Sequence, residues 1–312
     1  MKSDSIAVLG ASTLPAKTFQ TAMARTLPTV RLHLFGGSEI VLTATEDSAD
    51  FIQPESPEAL EEFPLWVDFT AARKQPLNPG TCRLLHSGAA VPPPGPEPVH
   101  ILFNPERLFD RTILAAPHPA VSVILRLMHG QKLQGLRHAH ATILLSTSEE
   151  GQEGHDELFN QTLGLINTQS AKSKIYKEQI SFNLIPELDS AAVERLIMEM
   201  DAFLPKGLFH PPHLARAGVF FGTLMALDFS FASPEERGAF STALKARPIF
   251  KWESKHHHGL IKAVQTDAIH VSISREEGNS LQLWIATDAL STGMAWNLTG
   301  LVEHFFQNYK SN

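Results

Sequence analysis

Covalent chemistry needs a nucleophile, a proton carrier or a metal, and the residues able to supply one are few in this chain. Its one cysteine, Cys82, sits in Thr81-Cys82-Arg83-Leu84-Leu85. A thiolate there could attack a carbonyl, but a lone cysteine at the start of an apolar strand reads as a small buried hydrophobe. His138 and His140 alternate, so a strand puts both on one face, and His256, His257 and His258 are consecutive. Imidazoles bind transition metals. No carboxylate or cysteine at ligand spacing completes either group, so the pair reads as a half-buried strand face, the triplet as a solvated loop, and no metal is expected. Glu276-Glu277 reads as a polar hairpin tip, and Phe220, Phe221, Phe229 and Phe231 as core packing.

The elements that must position such groups alternate. Apolar runs at 6–9, 30–35, 65–69, 82–85, 100–103 and 112–115 read as short strands, with helices predicted over 18–27 and 57–62. Alternation of this kind implies a mostly parallel sheet. The proline-rich run 91–99 reads as an exposed loop. The pattern then changes. Helices are predicted over 121–128, 154–165 and 191–204, and strands over 136–146, 180–184 and 217–231, the last long enough for the centre of a large sheet. Strands 270–275 and 281–287 flank a Glu-Glu-Gly-Asn hairpin turn, and a final helix starts near Ser291 with Met294, Leu298, Leu301, Val302, Phe305 and Phe306 on one face.

At 312 residues the chain is long enough for two domains with sizeable cores. A net charge of −7 without a basic patch argues against nucleic acid. A single cysteine excludes an internal disulfide framework. The short apolar run after Met1-Lys2-Ser3-Asp4-Ser5 lacks the form of a secretory signal, and no stretch reads as a membrane span, so the expected setting is the cytoplasm.

Three segments, in order, carry a likeness: Phe182-Asn183-Leu184-Ile185-Pro186, Arg216-Ala217-Gly218-Val219-Phe220-Phe221-Gly222, and Leu281 through Asp288 continuing to Gly293 and Asn297. With the opening Ala7-Val8-Leu9-Gly10-Ala11-Ser12, they resemble the aspartate-semialdehyde dehydrogenase family over nearly the whole chain, and within it the catalytically degenerate bacterial usg-type paralogues. The resemblance implies an α/β fold with a Rossmann-like dinucleotide-binding domain at 1–118 with 297–312, and an α/β dimerisation domain with a large mixed sheet at 119–296. It also implies a homodimer and NADP as the family cofactor.

That family's chemistry needs a cysteine thiolate at a helix start, a histidine, a carboxylate-binding arginine and a glycine-rich cofactor turn. Here Pro119 stands at the cysteine position, and proline suits a first helical turn but carries no nucleophile. Arg216 matches the arginine as a substrate-carboxylate ligand, with a structural ion pair as the alternative. Thr223, seven residues on, stands at the histidine position and cannot act as a base near neutral pH. Glu199 matches the family's helix glutamate, with a solvated helix face as the alternative, and Ala202 replaces its lysine partner. Glu149 stands near the active-site glutamine. The glycine turn becomes Gly10, Thr13 and Ala16, where Thr13 crowds the pyrophosphate approach. Gly10, Ser12, Thr13 and Ser38 are the residues that would touch a nucleotide, with NADP binding expected to be weak or absent. These joint losses imply a dimeric binding or regulatory protein, with another protein as a partner. The competing expectation is an active NAD(P)-dependent aldehyde oxidoreductase that uses His118, Glu149 or Cys82 instead.

Overall fold

The computed structural model describes residues 4–37, 41–44, 49–70, 77–89, 95–170, 172–253, 259–264, 266 and 268–309. They form two compact units, Met1–Ser122 with Gly293–Asn312, and Val123–Thr292.

The first unit runs β1 (Ser5–Leu9), α1 (Leu14–Thr26), β2 (Arg31–Phe35), β3 (Val41–Ala44), β4 (Ala49–Gln53), α2 (Pro57–Leu60), β5 (Leu65–Asp68), β6 (Arg83–His86), β7 (Glu97–Pro98), α3 (Arg107–Asp110) and β8 (Ile113–Ala115), and enters α4 (Pro119–Met128). Its eight-stranded sheet has the order β3-β4-β2-β1-β5-β6-β8-β7 and is parallel except for the β3–β4 pair. Every residue of β1 and β5 is buried, the mark of central parallel strands covered on both faces. The chain leaves β1 toward β2 and returns on its other side as β5. The carboxyl ends of β1 and β5 therefore form the switch point where such sheets bind ligands.

The second unit runs β9 (Leu136–Leu145), a 3-10 turn (Thr147–Glu150), α5 (Gly151–Ile166), β10 (Leu184–Pro186), α6 (Ser190–Asp201), β11 (His213–Ala217), β12 (Thr223–Phe231), α7 (Pro234–Lys245), β13 (Phe250–Glu253), α8 (Leu260–Val264), β14 (Ile269–Glu277) and β15 (Ser280–Thr287). Its mixed sheet has the order β10-β11-β9-β12-β15-β14-β13. Along β12 burial alternates, with Met225, Leu227, Phe229 and Phe231 inside, and Phe240 of α7 packs on the last two at 5.4 and 5.3 Å between ring centroids. Register puts Ala139, Ala141, Ile143 and Leu145 of β9 on that covered face and His138, His140, Thr142 and Leu144 on the opposite one. A π-helical turn (Leu290–Ala295) leads into α9 (Trp296–Tyr309), which packs against α1 in the first unit.

Phe220 and Phe221, each 41% exposed, do not pack in a core as Phe229 and Phe231 do, and five expected elements also need correction. The 100–103 run is a turn, closed by Phe103 N–H and Asn104 N–H donating to the His100 carbonyl; the edge strand is β7, inside the proline-rich run. Residues 180–183 also turn, with Phe182 at φ +58°, and the strand starts only at Leu184. The long 217–231 strand is two, because Gly222 at φ +95° breaks it. Helix α1 starts at Leu14, since Thr13 caps it and the proline after Leu14 fits a first turn. The last segment starts as a π-helical turn at Leu290, so Ser291 is inside it and is not a cap. Strands β3, β4 and β13 and helix α7 lack a strong apolar period and were not anticipated.

Candidate functional site

At the switch point of the first sheet, Gly10 closes the turn after β1 at φ +66°, where a Cβ would come within 3.0 Å of Phe69 C and Thr70 N. Glycine is required there. Beyond it the turn is satisfied from within. Thr13 N–H donates to Gly10 O at 3.0 Å, and Ala16 N–H to the Thr13 hydroxyl at 3.4 Å. The intervening Pro15 has no N–H. Gln20 Nε2 donates to Ala11 O at 2.8 Å. A helix start binds a pyrophosphate through such N–H groups, and here several are spent or missing. The residues present do not fit a dinucleotide cradle. Ser12 lies in this turn, whereas Ser38 falls outside the described residues.

Pro119 begins α4 and is buried. The preceding His118 turns its ring inward, with Nδ1 accepting from Ala120 N–H at 3.2 Å, so it caps the helix. Gly88 packs beneath this segment, and a Cβ there would lie 2.3 Å from Pro117 O. One buried serine–histidine contact occurs beside it. His100 Nε2 and Ser122 Oγ are 3.1 Å apart, while His100 Nδ1 accepts from Leu102 N–H at 3.2 Å. An accepting Nδ1 puts the proton on Nε2, so the imidazole donates to the serine, and Ser122 donates onward to Gly293 O at 3.1 Å. The pair is a structural tie and cannot activate the hydroxyl. Cys82 is buried at 3% exposure, and burial, with Glu61 nearby, pushes its thiol pKa up. A thiol so placed is kept largely in its protonated form near neutral pH.

In the second unit Arg216 lies on the helix-covered face of the sheet, opposite Leu145. The 3-10 turn after β9 delivers Glu150 to it, with Oε1 2.9 Å from Arg216 Nη1 as an ion pair lying off the line of a hydrogen bond. Glu187, just past β10, adds a second carboxylate 3.7 Å from Arg216 Nε. Tyr176 donates its hydroxyl to the other Glu150 oxygen at 2.9 Å. Gly154 allows this closure, since a Cβ would lie 2.6 Å from Thr147 O and 2.8 Å from the Tyr176 hydroxyl. Burial raises the Glu150 pKa while Arg216 and Tyr176 pull it back; burial and the Glu150 charge push the Tyr176 phenol up.

Glu157 anchors the tyrosine. Its buried carboxylate accepts the backbone N–H groups of Lys174, Ile175 and Tyr176, and Gln161 takes those of Ile180 and Ser181. Thr223 is buried at the start of β12. Glu199 is not on a solvated face: its side chain is 12% exposed and accepts from Arg195 Nε at 2.7 Å. The structure thus brings Arg216 together with Glu150, Glu187 and Tyr176, none of which the sequence singled out, and ties Glu199 to a neighbour on its own helix. The helix spacing of Arg195 and Glu199 could have revealed that pair. Nothing local marks Glu150 or Tyr176.

The sequence and the fold have parallels among known proteins. The family described as "Semialdehyde dehydrogenase, dimerisation domain" matches residues 127–292. A USG-1 protein homolog from Pseudomonas aeruginosa is 25% identical, covering 91% of this chain and 92% of that protein. An aspartate-semialdehyde dehydrogenase from Shewanella violacea is 24% identical over 66% of each. The solved structure of aspartate semialdehyde dehydrogenase II from Vibrio cholerae, in complex with ASA, superposes with a TM-score of 0.81 at 18% identity, over 99% of this chain and 100% of that one.

Proposed function

The chain belongs to the aspartate-semialdehyde dehydrogenase family, and from that premise we propose that it is a non-catalytic member serving as a dimeric binding or regulatory protein. One observation carries the reading: Arg216, which resembles the family's carboxylate-binding arginine, already has two internal carboxylates, Glu150 and Glu187. An incoming carboxylate would have to displace Glu150, leaving it enclosed without its cation. The other residues able to supply the family's chemistry are inert. Pro119 carries no nucleophile, Thr223 is buried without a basic atom, and Cys82 is enclosed in the first core. The Thr13 turn does not suit NADP, so nucleotide binding is weak or absent. The dimerisation-domain match supports a homodimer, with a further protein as the partner. Among the described residues no helix is long and apolar enough to cross a membrane.

The test is direct. Purified protein with aspartate semialdehyde, phosphate and NADP should produce no NADPH absorbance above the protein-free control. Saturable turnover would overturn the reading, and its loss in Cys82→Ser or His118→Ala would identify the substitute group.

A further inference from the structure

Among the described residues, the large apolar side chains left exposed lie in the second unit, except Phe51. Six of them gather where three segments meet. On α5, Phe159, Leu163 and Ile166 follow at intervals of four and three, so they form one stripe along the helix, outside the buried arc of Glu157, Leu158 and Gln161. Thr162, at the edge of that stripe, shares a hydrogen bond of 2.8 Å with Ser181 and so ties the helix to the turn that carries Phe182. That turn is joined to the segment after β11, where Gly218 N–H donates to Asn183 O at 3.0 Å. The same segment returns to α5. His155, one helical turn before Phe159, donates from Nε2 to Phe220 O at 2.8 Å, and its ring meets those of Phe220 and Phe221 edge-on at 5.7 and 4.6 Å. Phe182 is 76% exposed, although φ +58° is costly for a bulky residue. The chain thus holds a phenyl ring out in solvent on a strained turn.

We propose that this surface is the contact between two copies of the chain, each presenting the same patch across a two-fold axis. The inference rests on the homodimer proposed above and adds the face that makes it. Three observations favour a second copy as the occupant. The patch lies wholly within 127–292, the span that matches a dimerisation domain. Its segments are also uncharged: residues 158–171, 179–186 and 217–227 contain no Asp, Glu, Lys or Arg, in a chain of net charge −7. A two-fold contact sets a patch against itself, so a charged patch would bring like charges together and a neutral one does not. An acidic or basic partner would find nothing here to pair with. The third observation is size. An aromatic side chain buries about 150–250 Å², so six large apolar groups supply on the order of several hundred Å² of the about 800 Å² per partner that a stable contact covers.

The test is self-association of the full chain, followed by sedimentation equilibrium over a concentration series. Wild type is expected to dimerise. Phe182→Glu and Ile166→Glu each put a charge into the patch of both copies, and each should raise the dimer dissociation constant about thirtyfold or more, as losing a central interface residue does. Both side chains are exposed in the single chain, so its fold should be unchanged, which circular dichroism checks. Phe182→Leu keeps an apolar group and should retain the dimer. Trp284→Glu, on the sheet face that also carries Ala226, should leave the constant as it is. A dimer unaffected by both glutamates in the patch, or lost in Trp284→Glu instead, would overturn the assignment and leave the homodimer standing. A wild type monomeric throughout the series would overturn the homodimer as well.

Discussion

On the proposed reading, the two units refuse a ligand in opposite ways. In the first unit the groups a ligand would use are consumed or missing: at the turn after β1, Thr13 takes the Ala16 N–H and Pro15 has none, and after β8, on the proposed reading, Pro119 stands where a thiol would be needed. Around Arg216 in the second unit the binding group is retained and filled from within by Glu150 and Glu187. Removal is a local substitution and leaves the fold at rest. Internal occupation needs a scaffold, and the second unit supplies one in Glu157, which gathers three backbone N–H groups and carries Tyr176 to Glu150. The first route is visible at single positions, and the second exists only as an assembly.

The contrast can be broken most forcefully at its anchor. Glu157→Ala strips three backbone N–H groups, one of them buried, of their acceptor and should cost about 3 kcal/mol, read by urea unfolding. A loss well under 1 kcal/mol would mean the loop holds without it. Glu150→Ala should leave Arg216 with Glu187 as its only internal carboxylate among the described residues. Aspartate binding, followed by calorimetry, is expected to tighten about tenfold, or about 1.4 kcal/mol, whereas unchanged binding would show that Glu150 does not block the site.

Glu150 also makes a pH prediction. Its pKa is raised in the folded state, so the folded protein holds its proton more tightly than the unfolded chain. The stability this gives is fully present below the unfolded glutamate value and fades as pH rises through the folded one. Wild type should therefore gain stability relative to Glu150→Gln as pH falls through that window, in parallel urea melts; the opposite slope would mean the Arg216 pair outweighs burial. Thr13→Gly should cost only a few tenths of a kcal/mol, since glycine is itself an acceptable cap, and should leave NADP binding weak because Pro15 remains. A titration showing tight binding would make Thr13 alone the obstacle. The smallest expected change is in Pro119→Cys: no activity with aspartate semialdehyde, because Thr223 supplies no base and Arg216 stays filled. Measurable turnover would show that the thiol was the sole missing part.

The doubly covered first sheet was legible because its central strands are short unbroken apolar runs, and β9 because its alternation shows which face is inside. Residues 180–183 misled because the alternation of Ile180, Phe182 and Leu184 with Ser181 and Asn183 looks like a strand while Phe182 takes a left-handed backbone. The 217–231 run misled because apolar content alone does not show that Gly222 breaks the ladder. Glu199 was readable as a helix residue, but its burial depends on how Arg195 folds over it.

By itself, the sequence determined what the chain lacks. Proline at 119 and threonine at 223 have no thiol and no basic nitrogen in any conformation, and that part of the reading needs no coordinates. Only the tertiary structure decided what the remaining groups meet. Arg216 and Glu150, or His155 and Phe220, are far apart in the chain and carry no shared local pattern. They become neighbours because β9, β11 and the turn into α5 are ordered by pairing and burial across the whole sheet. The charge state of a carboxylate, and the packing of an imidazole on a phenyl ring, follow from that order.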